Sequence, residues 1–200
     1  MLPRHPSIFH DVHEAQTGAP PPLGPGTGQL YLVTRSLLMG GSTDLGPAML
    51  LIKEKKSGLW GPPGGNTDKT DHSPLHAALR EFGEETGADW RMLANAASDF
   101  QLRKIAQSGT GASQSWMMLV DTDAQATENA LFGADRSQWK LWQRMNTLLS
   151  SETAGYAFVP LKALANADPK SGTFKLGQHT ATLRYAKFTL PAVRRIMQLV

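Results

Sequence analysis

Residues 60–88, WGPPGGNTDKTDHSPLHAALREFGEETGA, restrict the possible folds of this chain more than any other stretch. WGPPGG (60–65) packs two prolines and three glycines into six residues and fits neither the helical nor the strand period. Eight residues later the chemistry changes. Ser73 is a good N-cap, Pro74 suits the first turn, and Leu75, Ala78, Leu79 and Phe82 recur at helical spacing up to Gly87, a natural C-terminal cap. A rigid irregular loop therefore feeds a helix with one apolar face. Such a helix needs a second layer to cover it.

The other face of that helix is acidic. Glu81, Glu84 and Glu85 lie at i, i+3 and i+4, so their carboxylates project together. Like charges at this spacing cost roughly 0.2–0.5 kcal/mol per pair. Two of them also stand near the negative end of the helix dipole. A solvated acidic face is the plain reading for two glutamates. A set of three is accounted for if a hard divalent cation sits over it, and oxygen-only ligands select Mg²⁺ or Mn²⁺.

Strand signals surround this unit. Residues 30–38 (LYLVTRSLL) and 48–54 (AMLLIKE) read as strands joined by a Gly/Pro-rich loop. Beyond the helix, residues 100–106 and 115–120 read as two strands, and 157–159 as a short one. Residues 161–166 begin a short helix. Thr189 and Pro191 open a last helix with Leu190, Val193, Met197 and Val200 on one face. The order is a mixed α/β pattern, with a less defined piece over 131–149. Residues 18–28 (GAPPPLGPGTG) can hold neither helix nor interior strand, so residues 1–28 read as an arm and 29–200 as one domain.

Composition narrows the chemistry. With no cysteine there is no thiolate nucleophile, disulfide or Cys-ligated metal site. No apolar run is long enough to span a membrane, and early Asp11 and Glu14 make a poor signal peptide, so an intracellular, cytoplasmic protein is expected. The chain carries 20 basic and 17 acidic residues, but six of the basic ones (Lys170, Lys175, Arg184, Lys187, Arg194, Arg195) follow Pro169 with no acid among them. Such a tail could guide a polyanion, RNA included. The simpler reading is a solvated face, since the six span more than twenty residues and need not share a surface.

The segment 65–88 resembles the signature box of the Nudix hydrolases, G-x5-E-x7-R-E-U-x-E-E-x-G-U with U apolar. Arg80, Glu81, Phe82, Glu84, Glu85 and Gly87 match its second half without a gap. The spacing from Gly65 to Arg80 is one residue long, and His72 stands where the first-half glutamate is expected, with Asp71 adjacent and able to serve in its stead. The resemblance implies a Nudix-type α/β/α sandwich with a mixed β-sheet. It implies a pyrophosphohydrolase that uses Mg²⁺ or Mn²⁺ to cleave a phosphoanhydride in a nucleoside diphosphate linked to another moiety, such as ADP-ribose, a dinucleotide or a nucleoside triphosphate. By carry-over, Glu81, Glu84 and Glu85 would be metal ligands, Arg80 would orient a glutamate, and Gly65 would let the backbone approach metal or phosphate. Glu84, Glu85 and Arg80 would serve catalysis. Glu152, ahead of YAFVPL, resembles a family glutamate that precedes such a strand, and is the candidate general base; Glu128, Asp121 and Asp123 are weaker rivals.

Several residues have two readings. Trp139 and Trp142 could stack a base, although their i, i+3 spacing also fits a helix face turned to the core. Trp60 reads as packing, and His72 and His76 as solvated or capping residues without a third zinc ligand. Lys53, Lys55 and Lys56 read as a solvated strand end. Cap hydrolysis of RNA, driven by the basic tail, and a Nudix-fold module that binds a nucleotide without cleaving it are the alternative functions. The expected partner is a nucleotide-type small molecule, with RNA as an option, no membrane, and a homodimer compatible with the sequence.

Overall fold

The computed structural model describes residues 25–39, 43–93, 99–108, 111–132 and 152–200. Strand β1 (Thr27–Ser36) is followed by the two-residue strands β2 (Leu38–Met39) and β3 (Thr43–Asp44), then by β4 (Ala48–Glu54), β5 (Trp60–Gly61) and β6 (Gly64–Asn66). Helix α1 (Pro74–Thr86) comes next, then β7 (Phe100–Gln107), β8 (Gln114–Asp123), α2 (Ala124–Phe132) and β9 (Thr153–Pro160). The chain closes with α3 (Leu161–Ala165), the hairpin β10 (Thr173–Leu176) and β11 (His179–Thr182), and α4 (Ala186–Met197).

The central sheet has seven strands and is mixed: β1 runs parallel to β8 and antiparallel to β4 and β6. Side chains of successive strand residues point to opposite faces. Here both faces are buried. Leu30, Leu32, Leu50, Ile52, Met118 and Val120 pack with Leu75, Leu79 and Phe82 of α1. Their neighbours Tyr31, Val33, Met49, Leu51, Met117 and Leu119 pack with Leu161 and Leu164 of α3 and Leu190, Val193 and Ile196 of α4. The result is an α/β/α sandwich. Two-sided burial is why these strands read as continuous apolar runs.

One irregularity of the sheet builds the site. β1 meets β4 only at Val33–Met49 and Thr34–Ala48. Further along, Thr27–Gln29 pair with β6, while Ile52 and Lys53 pair with β5. The WGPPGG loop is therefore inserted between two strands that have parted. Trp60 anchors it, 5 % exposed, as packing rather than as a recognition residue. The helix above leaves little room. A β-carbon on Gly28 would stand 2.5 Å from the Ala78 amide nitrogen and 3.0 Å from its Cα, and against the Pro74 carbonyl oxygen. Gly28→Ala is expected to cost about 2 kcal/mol, since overpacking against backbone has no flexible group to yield. Chemical denaturation checks this; an unchanged midpoint would contradict the close approach.

Some boundaries move. β1 begins at Thr27, inside the segment read as an arm. The strand read at 157–159 extends back to Thr153, lengthened by full pairing with β4. α4 begins at Ala186, so Pro191 lies inside it. Met197 and Val200 are exposed, which leaves Leu190, Val193 and Ile196 as its buried face. The β10–β11 hairpin was missed because its strands have four residues each, and only β10 (TFKL) alternates polar with large apolar side chains. Trp139, Trp142 and most of the 131–149 piece lie outside the described residues.

Candidate active site

α1 is held at both ends as its sequence predicts. Ser73 Oγ accepts a hydrogen bond from the His76 amide at 3.0 Å, and Gly87 adopts φ 71 to terminate the helix. Its position fixes the three glutamates differently. Glu85 turns toward the sheet and is 7 % exposed. The Gly64 amide, delivered by the inserted loop, donates to Glu85 Oε2 at 2.7 Å. Burial pushes the Glu85 carboxyl up to about 7, against the pull of the Gly64 amide and Arg184 and with the support of the charges on Glu81 and Glu152. Glu81, half-buried, is raised for the same leading reason, partly offset by Arg80. Glu84 is exposed and accepts a bond from Arg80 Nη1 at 2.8 Å.

Arg80 is the hub behind this face. Its Nε and Nη2 donate to the two carboxylate oxygens of Asp71 at 3.1 and 2.9 Å, and Nη2 also donates to the Asn66 carbonyl. The Asp71 side chain is fully buried. Burial would raise its carboxyl, but the Arg80 bonds and charge and the Asp68 amide outweigh that and hold it below the usual carboxylate range. Asp71, not His72, thus meets the arginine. His72 stacks on His76, whose Nδ1 is 3.1 Å from Asp71 Oδ1.

Glu81, Glu85, Gly65 and Glu152 line one cleft of about 960 Å³. A β-carbon on Gly65 would fall 2.5 and 2.6 Å from the Glu81 carboxylate oxygens, so only glycine leaves that carboxylate its place. Glu152 is brought there by β9, its carbonyl accepting from the Lys55 amide at 2.8 Å. Arg80 and Glu84 stand outside the lining, on the adjoining rim. Arg184 enters from the chain's far end: Nη2 is 3.8 Å from Glu85 Oε1 and Nη1 is 3.7 Å from Glu54 Oε1. Lys187 and Arg195 line the same cleft. Three of the six C-terminal cations therefore do share a surface, in place of the scattered solvated face expected; Lys170, Lys175 and Arg194 lie elsewhere.

None of the rival acids Glu128, Asp121 and Asp123 lines this cleft. Glu128 accepts from the Tyr156 hydroxyl at 2.8 Å, and Asp123 caps α2 through the Ala126 amide. Among the described residues no three His, Asp or Glu side chains converge on one metal-sized position. Glu81 and Glu85 nevertheless offer hard oxygen donors beside open solvent, with charges that burial leaves undercompensated. That fits a cation which keeps several of its waters, as Mg²⁺ and Mn²⁺ do, and not a closed nitrogen or sulfur shell.

Arg184, Tyr185 and Phe188 escaped the sequence reading as site residues. Only their place in a basic, acid-free segment signalled them.

A family model described as the NUDIX domain matches residues 32–175. Among solved structures, a mutT/nudix family protein from Listeria innocua is 18 % identical, covers 91 % of this chain and 95 % of its own, and superposes with a TM-score of 0.46. An Ap4A hydrolase from C. elegans, solved as a binary complex, is 13 % identical over 86 % of this chain and 96 % of its own, with a TM-score of 0.48. The NUDIX domain of Shewanella oneidensis NrtR, complexed with ADP ribose, is 14 % identical over 96 % and 99 %, with a TM-score of 0.43. No curated protein matches the sequence.

Proposed function

The chain belongs to the Nudix hydrolase family, and from that premise we propose that its cleft cleaves the phosphoanhydride of a nucleoside diphosphate linked to a second group. One observation carries the reading: Glu81, Glu85 and Glu152 line a single cleft together with Arg184, Lys187 and Arg195. A pyrophosphate linkage needs both signs, cations for its oxygens and carboxylates for a metal and for a proton.

Glu81 and Glu85 would hold Mg²⁺ or Mn²⁺, with Glu84 joining when its bond to Arg80 exchanges. When bound, the ion supplies neutralisation of phosphate charge and a lowered pKa for the attacking water. Gly65 keeps space in front of Glu81. Arg184 lies where it can bind a phosphate oxygen while its other contacts, to Glu54 and the Pro62 and Gly64 carbonyls, fix the loop. Glu152 takes the proton from the water as it adds to one phosphorus. The P–O–P bond breaks, and two phosphate monoesters result when both flanking groups are esters.

The test offers purified protein ADP-ribose, diadenosine polyphosphates, dinucleotide cofactors, nucleoside triphosphates and capped RNA with Mg²⁺ or Mn²⁺. At least one is expected to be split, with no turnover in EDTA and a loss of about 10²–10⁴-fold in Glu152→Gln. Binding without turnover of any of them would instead identify a nucleotide-holding module.

A further inference from the structure

The part of the cleft lined by residues 184–195 is built unlike a packing surface. Tyr185 and Phe188 both line the cleft and remain 62 % and 61 % exposed, although rings of this size are normally covered. Tyr185 holds φ 54 and ψ 46, and is the only non-glycine residue with positive φ among the described residues. This strained conformation is fixed on both sides: the Arg184 amide donates to the Trp60 carbonyl at 2.6 Å, and the Phe188 and Thr189 amides donate to the Tyr185 carbonyl at 2.9 and 3.0 Å. Cations accompany both rings. Arg184 Cζ lies 5.7 Å from the Tyr185 ring and Lys187 Nζ 5.0 Å from that of Phe188, with Arg195 on the same wall. All of these residues follow residue 175, where the family match ends.

We infer that Tyr185 and Phe188 form a stacking platform for the nucleobase of the substrate, with Lys187 and Arg195 holding the phosphate beside it. The substrate class is then a nucleotide read through its base, rather than any pyrophosphate ester. This rests on the proposed reading of the cleft as a phosphoanhydride site. Base stacking on aromatic rings tolerates different bases, so the platform selects for a base without choosing which. The cleft volume, near the top of the range for small-molecule sites, leaves room for the second group. A protein-docking patch is the other use of exposed rings. Here they line a concave site beside carboxylates and cations rather than a flat apolar surface, which favours a small charged ligand.

Calorimetric titration in EDTA with two probes, ADP and inorganic pyrophosphate, tests the platform apart from hydrolysis. Wild type is expected to bind ADP more tightly than pyrophosphate. The Tyr185→Gly, Phe188→Ala double variant should lose about five- to 150-fold in ADP affinity with pyrophosphate binding unchanged. Glycine accepts the positive φ, so the helix start is kept, and thermal melting verifies the fold. Phe188→Trp should retain ADP binding, and Lys187→Ala, Arg195→Ala should weaken both probes. No ADP binding by wild type, equal binding of the two probes, or an ADP preference that survives loss of both rings would each overturn the inference. None of these outcomes bears on turnover of the substrate panel, so the two readings fail separately.

Discussion

Glu85→Gln is expected to lose about a thousandfold in turnover while the metal-free chain becomes no less stable. The two effects share one cause. Glu85 is a carboxylate that the fold buries beside Glu81 and Glu152, with the Gly64 amide donating to it and Arg184 3.8 Å away. A charge kept under those conditions costs stability, and a cation bound there would offset it. Losing several kcal/mol of charge stabilisation in the transition state, about 4 kcal/mol, corresponds to the thousandfold. Glutamine keeps the shape and the Gly64 bond without the charge. The carboxyl titrates near 7 in the folded chain, above its ordinary 4.5, so wild type loses stability as pH rises between those values. The melting advantage of the variant in EDTA should therefore grow over that range and level off above it. Glu84→Gln, on an exposed side chain tied to Arg80, should lose less activity than Glu85→Gln. Equal losses would mean that Glu84 leaves Arg80 for the metal at no cost. A clear drop in melting temperature for Glu85→Gln at pH 8 would mean that its charge is structural.

The sequence made the local units legible and left their assembly obscure. α1 was readable to the residue, because Ser73, Pro74 and Gly87 each carry a cap signal that depends on no distant contact. The strands β4 and β7 were readable from composition. What could not be read was the parting of β1 and β4, since it depends on where the Trp60–Asn66 stretch inserts. The glutamates could be placed on one helix face, but not sorted. Which of them is buried follows from the sheet below, and which is tied follows from Arg80. Arg184 lies 120 residues from Gly64 in sequence, and no periodicity links them. The same holds for Tyr185 and Phe188. They look like ordinary helix residues until the β10–β11 hairpin turns the chain back onto the cleft.

Asp71→Asn should cost about 3 kcal/mol, the largest stability loss of any single polar change near the site. The Asp71 side chain is fully buried and receives both Arg80 donors, the Asp68 amide and the His76 ring. Breaking a buried pair from one side leaves the other charge uncompensated, at about 3–5 kcal/mol; the low end applies because Arg80 keeps Glu81, Glu84 and the Asn66 carbonyl. The pH dependence follows in sign. The Asp71 carboxyl is held below its ordinary 3.8, so its stabilisation is full above that value and is lost as pH falls through the folded value. The gap in denaturation midpoint between wild type and Asp71→Asn should be constant from pH 5 to 8 and close below about 4. A gap that stays open in acid would assign the loss to packing instead of charge. Activity should fall too, by a different route. With Asp71 neutral, Arg80 can bind Glu81 and Glu84 more closely, withdrawing carboxylate from the cleft. More Mg²⁺ or Mn²⁺ should then be needed for half-maximal rate, a shift that a simple loss of folded protein would not produce.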